Sequence, residues 1–183
     1  MDRDGGADVD GAREAVAREA AARELAARVA DPEMPFVTVG ELGIVRGVEV
    51  DGDDRVAVTI TPTYAGCPAI EVIRREIRAR LGAAGFASVE VRTALDPPWS
   101  SDWITAEGRR KLAAAGIAPP GAAPARPSGP VPVTLSRRRP AVPCPACGSA
   151  DTVELSAFGA TACKDLWRCR ACAEPFEHIK EIS

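Results

Sequence analysis

The 183-residue chain has a single histidine, His178. The one imidazole lies far along the chain from Cys67, so no catalytic triad assembles around that thiol and papain-like chemistry is not expected. Nor can it supply the mixed carboxylate and histidine shell that oxygen activation at a di-iron centre requires. Long apolar runs are also missing: no stretch approaches a membrane span, and the opening Met-Asp-Arg-Asp-Gly-Gly lacks the apolar core of a secretion signal. The expected location is therefore the cytoplasm, with no membrane partner and with thiols kept reduced. A basic surplus is absent as well. The chain carries 23 Lys and Arg against 26 Asp and Glu, and from Cys144 onward the balance is four against six. A nucleic-acid reader needs a basic footprint to displace phosphate counterions, so nucleic acid is not an expected partner. No internal repeat is visible.

What the chain does have is thiols. Cys144, Cys147, Cys169 and Cys172 form two C-x-x-C pairs. Each pair curls so that both thiolates face one centre, and two such knuckles joined by a hairpin close a tetrahedral shell of four soft sulfurs. These four are the candidate metal ligands. Zn²⁺ is the expected ion, though iron accepts the same shell and spacing does not separate the two. Two disulfides, or merely buried cysteines, are the competing reading, against which stand the reducing compartment and the brevity of the segment. So short a segment needs a metal staple to fold.

The expected fold class is α+β: a small αββαβ domain followed by a C-terminal zinc β-ribbon. Residues 1–12, rich in Asp and Gly, are expected to be a disordered tail. A helix is expected over Ala12–Ala30, ended by Asp31-Pro32, with a thin, alanine-rich apolar face. Val48–Val50 and Val56–Thr61 flank Asp51-Gly-Asp-Asp54 and read as a hairpin. After Cys67, the residues Ile70, Ile73, Ile77 and Leu81 form a helical stripe, and Ser88–Leu95 alternates as a third strand. Thr105 and Gly116 read as the cap and terminator of a further short helix. Residues 13–118 are thus assigned to the first domain with a helical extension, 119–140 to a Pro-rich linker and 141–183 to the ribbon. Nine of the sixteen prolines fall in residues 119–145, which suits an extended segment without a core.

Cys67 lies between a strand and a helix, in Thr61-Pro-Thr-Tyr-Ala-Gly-Cys-Pro68. With Pro68 in the first turn, Cys67 is the expected N-cap, where the helix dipole favours a thiolate that acts as nucleophile or metal ligand. A buried, inert cysteine is the competing reading. Asp31, Glu33 and Glu41 are the acidic candidates near it. Cys163 is a spare thiol, read as core filling or as an alternative ligand or partner contact. His178 is expected at the surface or in packing. Trp99 and Trp103 are expected to be packing anchors.

The segments Asp31-Pro-Glu-Met-Pro35, Glu41-Leu-Gly-Ile-Val45, Thr61 to Pro68, Asp96-Pro-Pro-Trp-Ser-Ser-Asp-Trp-Ile104 and Gly116-Ile-Ala-Pro-Pro120 resemble the D-subunit family of the phenylacetyl-CoA monooxygenase (ring 1,2-epoxidase) system. So do Cys144-Pro-Ala-Cys-Gly148, Phe158-Gly-Ala-Thr-Ala-Cys-Lys164 and Cys172-Ala-Glu-Pro-Phe176. The first half alone is similar to SufT-type iron–sulfur assembly proteins. Ile179 departs from the pattern, where an aromatic residue is expected, and the linker is unusually rich in Pro and Arg. The resemblance implies an accessory, non-enzymatic subunit that assists assembly of iron or iron–sulfur centres in phenylacetate catabolism. Its implied partners are the oxygenase and reductase subunits, with a homodimer left open. A transient iron or iron–sulfur cluster is implied at Cys67, with Asp31, Glu33, Glu41 and Cys163 as the other candidates. A general iron–sulfur assembly factor, a zinc-ribbon regulator and a thiol enzyme using Cys67 are the alternatives.

Overall fold

The computed structural model describes residues 5–51, 53–124 and 142–183, without the side chains of 5–10 and 12. The chain divides into two compact units, Met1–Pro98 and Trp99–Ser183.

In the first unit the order is α1 (Gly5–Ala27), β1 (Val45–Val50), β2 (Arg55–Ile60), α2 (Ala69–Ala83) and β3 (Ser88–Thr93), which is the αββαβ order expected. β1 and β2 pair antiparallel, with Val48 opposite Val58 and Val50 opposite Val56. The Asp51 carboxylate shapes the turn between them, accepting hydrogen bonds from the Asp53 and Arg55 N–H groups. β3 pairs parallel to β2, so α2 is the crossover between them. Period-2 alternation buries Val48, Val56, Val58, Ile60 and Val91, and the helical stripe buries Ile73, Ile77 and Leu81. Each such side chain contributes about 1.5–3 kcal/mol on full burial.

Two boundaries differ from expectation. α1 begins at Gly5, inside the segment expected to be a disordered tail, because extending a nucleated helix costs far less than starting one. It also stops at Ala27, before the proline. There the chain folds back on itself, with Ala30 bridging Thr38 and the Val39 N–H bonding the Val29 carbonyl. The tertiary turn thus ends the helix ahead of the local signal at Asp31-Pro32.

The second unit contains a 3₁₀ turn (Ser101–Trp103), α3 (Ala106–Ala114), β4 (Ile117–Ala118), β5 (Thr152–Ser156), β6 (Lys164–Cys169) and β7 (Pro175–Ile179). Its sheet runs β4-β7-β6-β5. Thr105 caps α3 through the Gly108 N–H, as expected, and Gly116 follows it with φ +80°. The domain boundary placed at residue 118 is corrected: residues 99–118 belong with the ribbon. β4 pairs with the outer edge of β7. Arg109 donates to the carbonyls of Ile104, Ser101 and Pro120, and Ser101 exchanges hydrogen bonds with Ile182. A two-residue strand has no periodicity to read, so its partner is decided by the free sheet edge it covers. The linker assignment is corrected at its start, because the Gly121 N–H bonds Glu181 and the Ala123 N–H bonds Asp102. The remainder of that assignment, residues 125–140, lies outside the described residues.

Candidate metal centre

Cys144 and Cys147 lie in the tight turn before β5. Cys169 ends β6, and Cys172 lies in the turn to β7. In each knuckle the residue after the second cysteine takes a left-handed conformation, Gly148 at φ +74° and Ala173 at φ +64°. The Gly148 N–H closes on the Cys144 carbonyl at 2.8 Å, and the Cys169 N–H on the Glu174 carbonyl at 2.9 Å. The four Sγ atoms converge within 4.8 Å of one another. Cys144 and Cys172 stand 3.7 Å apart, and Cys147 and Cys169 3.6 Å apart. Metal–sulfur bonds of about 2.3 Å in a tetrahedron give sulfur–sulfur edges of about 3.8 Å, so the thiols fit a four-thiolate ion. Beneath them pack Ala118, Val142, Trp167 and Phe176.

The electrostatics show why this shell wants a cation. Backbone N–H groups, first that of Cys172, bring the Cys169 thiol down to about 7. Cys172 goes the other way: the Glu174 N–H favours its thiolate, but the Cys169 thiol, burial and the other cysteines outweigh it and push it up to about 12. Four sulfurs this close do not ionise together without a positive charge among them.

Cys163 is buried and is not one of the four; its Sγ lies 3.1 Å from Thr161 Oγ1. In the first unit, Asp31 is buried and its Oδ1 accepts from the Glu33 and Met34 N–H groups at 2.9 and 2.8 Å. Glu41 Oε2 accepts from the Thr38 N–H, while Thr38 Oγ1 accepts from the Glu41 N–H. That is the reciprocal geometry of a capping box. Cys67 is half-buried. The expectation that it caps α2 is corrected: Pro68 occupies the cap position, and Cys67 precedes it, its carbonyl accepting from Ile70 N–H at 3.3 Å. Proline's fixed φ, here −68°, already suits the helix, which moves the cap one residue on. Among the described residues, Asp31, Glu33, Glu41 and Cys67 form no group of three or more with converging ligand atoms.

His178 carries more than the packing role expected of it. It is buried, with Nδ1 at 2.9 Å from Asp165 Oδ1 and Nε2 at 3.3 Å from Glu181 Oε1. Trp167 Nε1 donates to the same Asp165 oxygen at 2.8 Å. Burial alone lowers the affinity of the imidazole for a proton, but the carboxylates of Asp165 and Glu181 outweigh it and raise its pKa to about 9. Its i, i+2 spacing from Phe176 on one strand face was the available signal.

Residues 128–180 match the PaaD zinc beta ribbon domain, and residues 19–93 match the iron-sulfur cluster assembly protein family. The putative D subunit of the 1,2-phenylacetyl-CoA epoxidase of Escherichia coli is 41% identical over 155 residues, covering 85% of this chain and 88% of that protein. A Porphyromonas gingivalis Fe-S protein maturation auxiliary factor is 34% identical over 85 residues, 46% of this chain and 80% of its own. The crystal structure of a domain of unknown function, DUF59, from Bacillus anthracis superposes with a TM-score of 0.52 at 27% identity, covering 55% of this chain and 96% of that one. An assembly-type αββαβ unit joined to a four-cysteine ribbon, together with identity running through both, means that this chain belongs to the family of 1,2-phenylacetyl-CoA epoxidase D subunits.

Proposed function

We propose that the protein is an accessory subunit of a 1,2-phenylacetyl-CoA epoxidase system in phenylacetate catabolism, assisting assembly or maturation of the iron or iron–sulfur centres of its oxygenase and reductase subunits. The observation that carries this reading is the pairing of the two family matches in one chain, an iron–sulfur assembly domain at residues 19–93 and a PaaD ribbon at 128–180. The ribbon holds Zn²⁺ through Cys144, Cys147, Cys169 and Cys172, and its role there is structural, because four protein ligands leave no open coordination position. Cys67 is the residue assigned to transient contact with iron. Its half-buried position in the loop entering α2 supports this, while Asp31 and Glu41 fix the 31–41 loop through hydrogen bonds from its own backbone.

The test is a Cys67→Ser variant co-expressed with the oxygenase and reductase subunits. The expected outcome is unchanged folding and zinc content with lowered iron and activity in the partners. Fully metallated, active partners would place the site elsewhere. A deletion strain should fail on phenylacetate while growing normally on unrelated carbon sources. A defect on every iron-dependent pathway would favour a general assembly factor instead, a reading supported by the 34% identity to a maturation auxiliary factor.

A further inference from the structure

The second unit contains a cavity of about 570 Å³ whose floor is the Asp165, His178 and Glu181 cluster and whose walls include Trp167, Val142 and Pro143. His178 is 2% exposed. Its Nδ1 is engaged by Asp165, which fixes the ring and leaves Nε2 facing away from that carboxylate, so that Nε2 becomes the donor nitrogen once its proton has left. That Nε2 is buried, and among the described residues it makes no well-aligned hydrogen bond, its one close polar neighbour being the Glu181 carboxylate. Glu181 Oε1 stands beside it at 3.3 Å, held by the Gly121 N–H at 3.0 Å.

This is the layout of a metal-binding imidazole, in which a carboxylate behind one nitrogen fixes the tautomer and orients the other toward the ion. For bonds of about 2.0–2.1 Å to nitrogen and oxygen, a tetrahedral angle separates the two donors by about 3.3–3.4 Å. The observed 3.3 Å matches that separation. The set is half a shell, one nitrogen and one oxygen, and the cavity leaves room for water or for donors from another protein. Nitrogen with carboxylate selects a borderline divalent first-row ion such as Fe²⁺, Co²⁺ or Zn²⁺ over a hard ion.

We propose that His178 Nε2 and Glu181 Oε1 form a second, exchangeable divalent-metal site, distinct from the four-thiolate centre, with Asp165 as its positioning residue. The incomplete shell makes it weaker than the ribbon site and open to exchange. Bound metal replaces the proton shared within the cluster, whose charged neighbours lining the cavity are Asp165, Lys180 and Glu181. One proton should therefore leave per ion at neutral pH.

The experiment titrates Co²⁺ anaerobically into the full chain already loaded with one zinc, following heat and visible absorption in buffers of different ionisation enthalpy. The expected result is one further Co²⁺ per chain, lacking sulfur-to-metal charge transfer, with about one proton released. Glu181→Gln and His178→Gln should each weaken it at least tenfold, and Asp165→Asn by about 10–100-fold. Cys67→Ser should leave it unchanged, which separates this site from the one assigned to Cys67. Glu181 is partly exposed, so Glu181→Gln tests the site even if the His178 variant fails to fold. No second equivalent in the wild type, or one that survives Glu181→Gln, would show that the cluster is an ion pair only and overturn the proposal.

Discussion

Gly40→Ala is the most direct test of how the first unit is packed. A Cβ at residue 40 would lie 2.5 Å from Ala27 Cβ, 2.8 Å from Ala27 O and 3.0 Å from Ala27 Cα. Carbon atoms pack best at about 3.5–4.0 Å, so the new methyl group overlaps the last turn of α1. Gly40 is not in the left-handed region, so the cost is steric and not conformational. Retreat is blocked by the Gly40 N–H bond to Ala27 O at 3.0 Å and the Val39 N–H bond to Val29 O at 2.8 Å. Overpacking of this kind costs about 1–3 kcal/mol, and losing one backbone hydrogen bond adds about 1 kcal/mol. The sum, about 2–4 kcal/mol, is a large part of the roughly 5–15 kcal/mol that holds a domain folded.

With a urea dependence of about 2 kcal/mol per molar, the unfolding midpoint should fall by about 1–2 M. The two units carry separate reporters, since α1 and α2 dominate the helical circular dichroism while Trp99, Trp103 and Trp167 all lie in the second unit. The helical signal should shift and tryptophan fluorescence should not. Ala27→Gly removes the nearest atom but leaves the backbone contacts, and itself costs up to about 1 kcal/mol in helix propensity. The double variant should therefore recover only part of the loss. A Gly40→Ala protein with an unshifted helical midpoint would refute the close packing of this loop on α1.

Cys144→Ser/Cys172→Ser should lose the tightly held zinc by elemental analysis; full retention would remove these residues as ligands. A chelator should collapse the tryptophan signal of the second unit and leave the helical signal of the first, because a site this small folds with its ion. The His178 pKa is raised, so its contribution to stability is complete below about 6.5 and lost as pH rises through about 9. The second unit's midpoint should fall along that alkaline limb, and the fall should vanish in His178→Gln. Glu181 is depressed to about 2, chiefly by His178, so its part is present above about 4.5 and lost as pH falls through about 2.

The elements most legible in the sequence were those whose signal is local or periodic. Ile73, Ile77 and Leu81 lie one helical turn apart, and Val56, Val58 and Ile60 alternate, so both faces could be read without a structure. Paired cysteines are legible for a similar reason, because C-x-x-C spacing reports a turn that brings its own thiols together. What stayed hidden depended on partners far along the chain. Ile117–Ala118 is too short to show a period, yet it completes the ribbon sheet against β7. Arg109 carries no motif, yet it ties the carbonyls of Ser101 and Ile104 in one segment to that of Pro120 in another. His178 looked incidental because its partner Asp165 lies on the neighbouring strand, opposite it in register.

The acidic candidates of the first unit bear on how any iron there is to be held. Asp31 spends one oxygen on two backbone N–H groups, and Glu41 spends one on Thr38. An ionised carboxylate keeps other lone pairs, but these bonds fix both side chains in their own loop, and among the described residues no third ligand atom converges with them. One thiolate from Cys67 cannot complete an iron shell either, since a stable cluster or ion needs about four donors. On the proposed reading the missing ligands come from the recipient, so iron is held only while two proteins are in contact. On the same reading the four-thiolate ribbon has the opposite property: a shell closed from within one chain would keep its ion. Isolated protein should therefore carry zinc and little iron, and iron bound stoichiometrically through Cys67 without a partner would contradict the transient role.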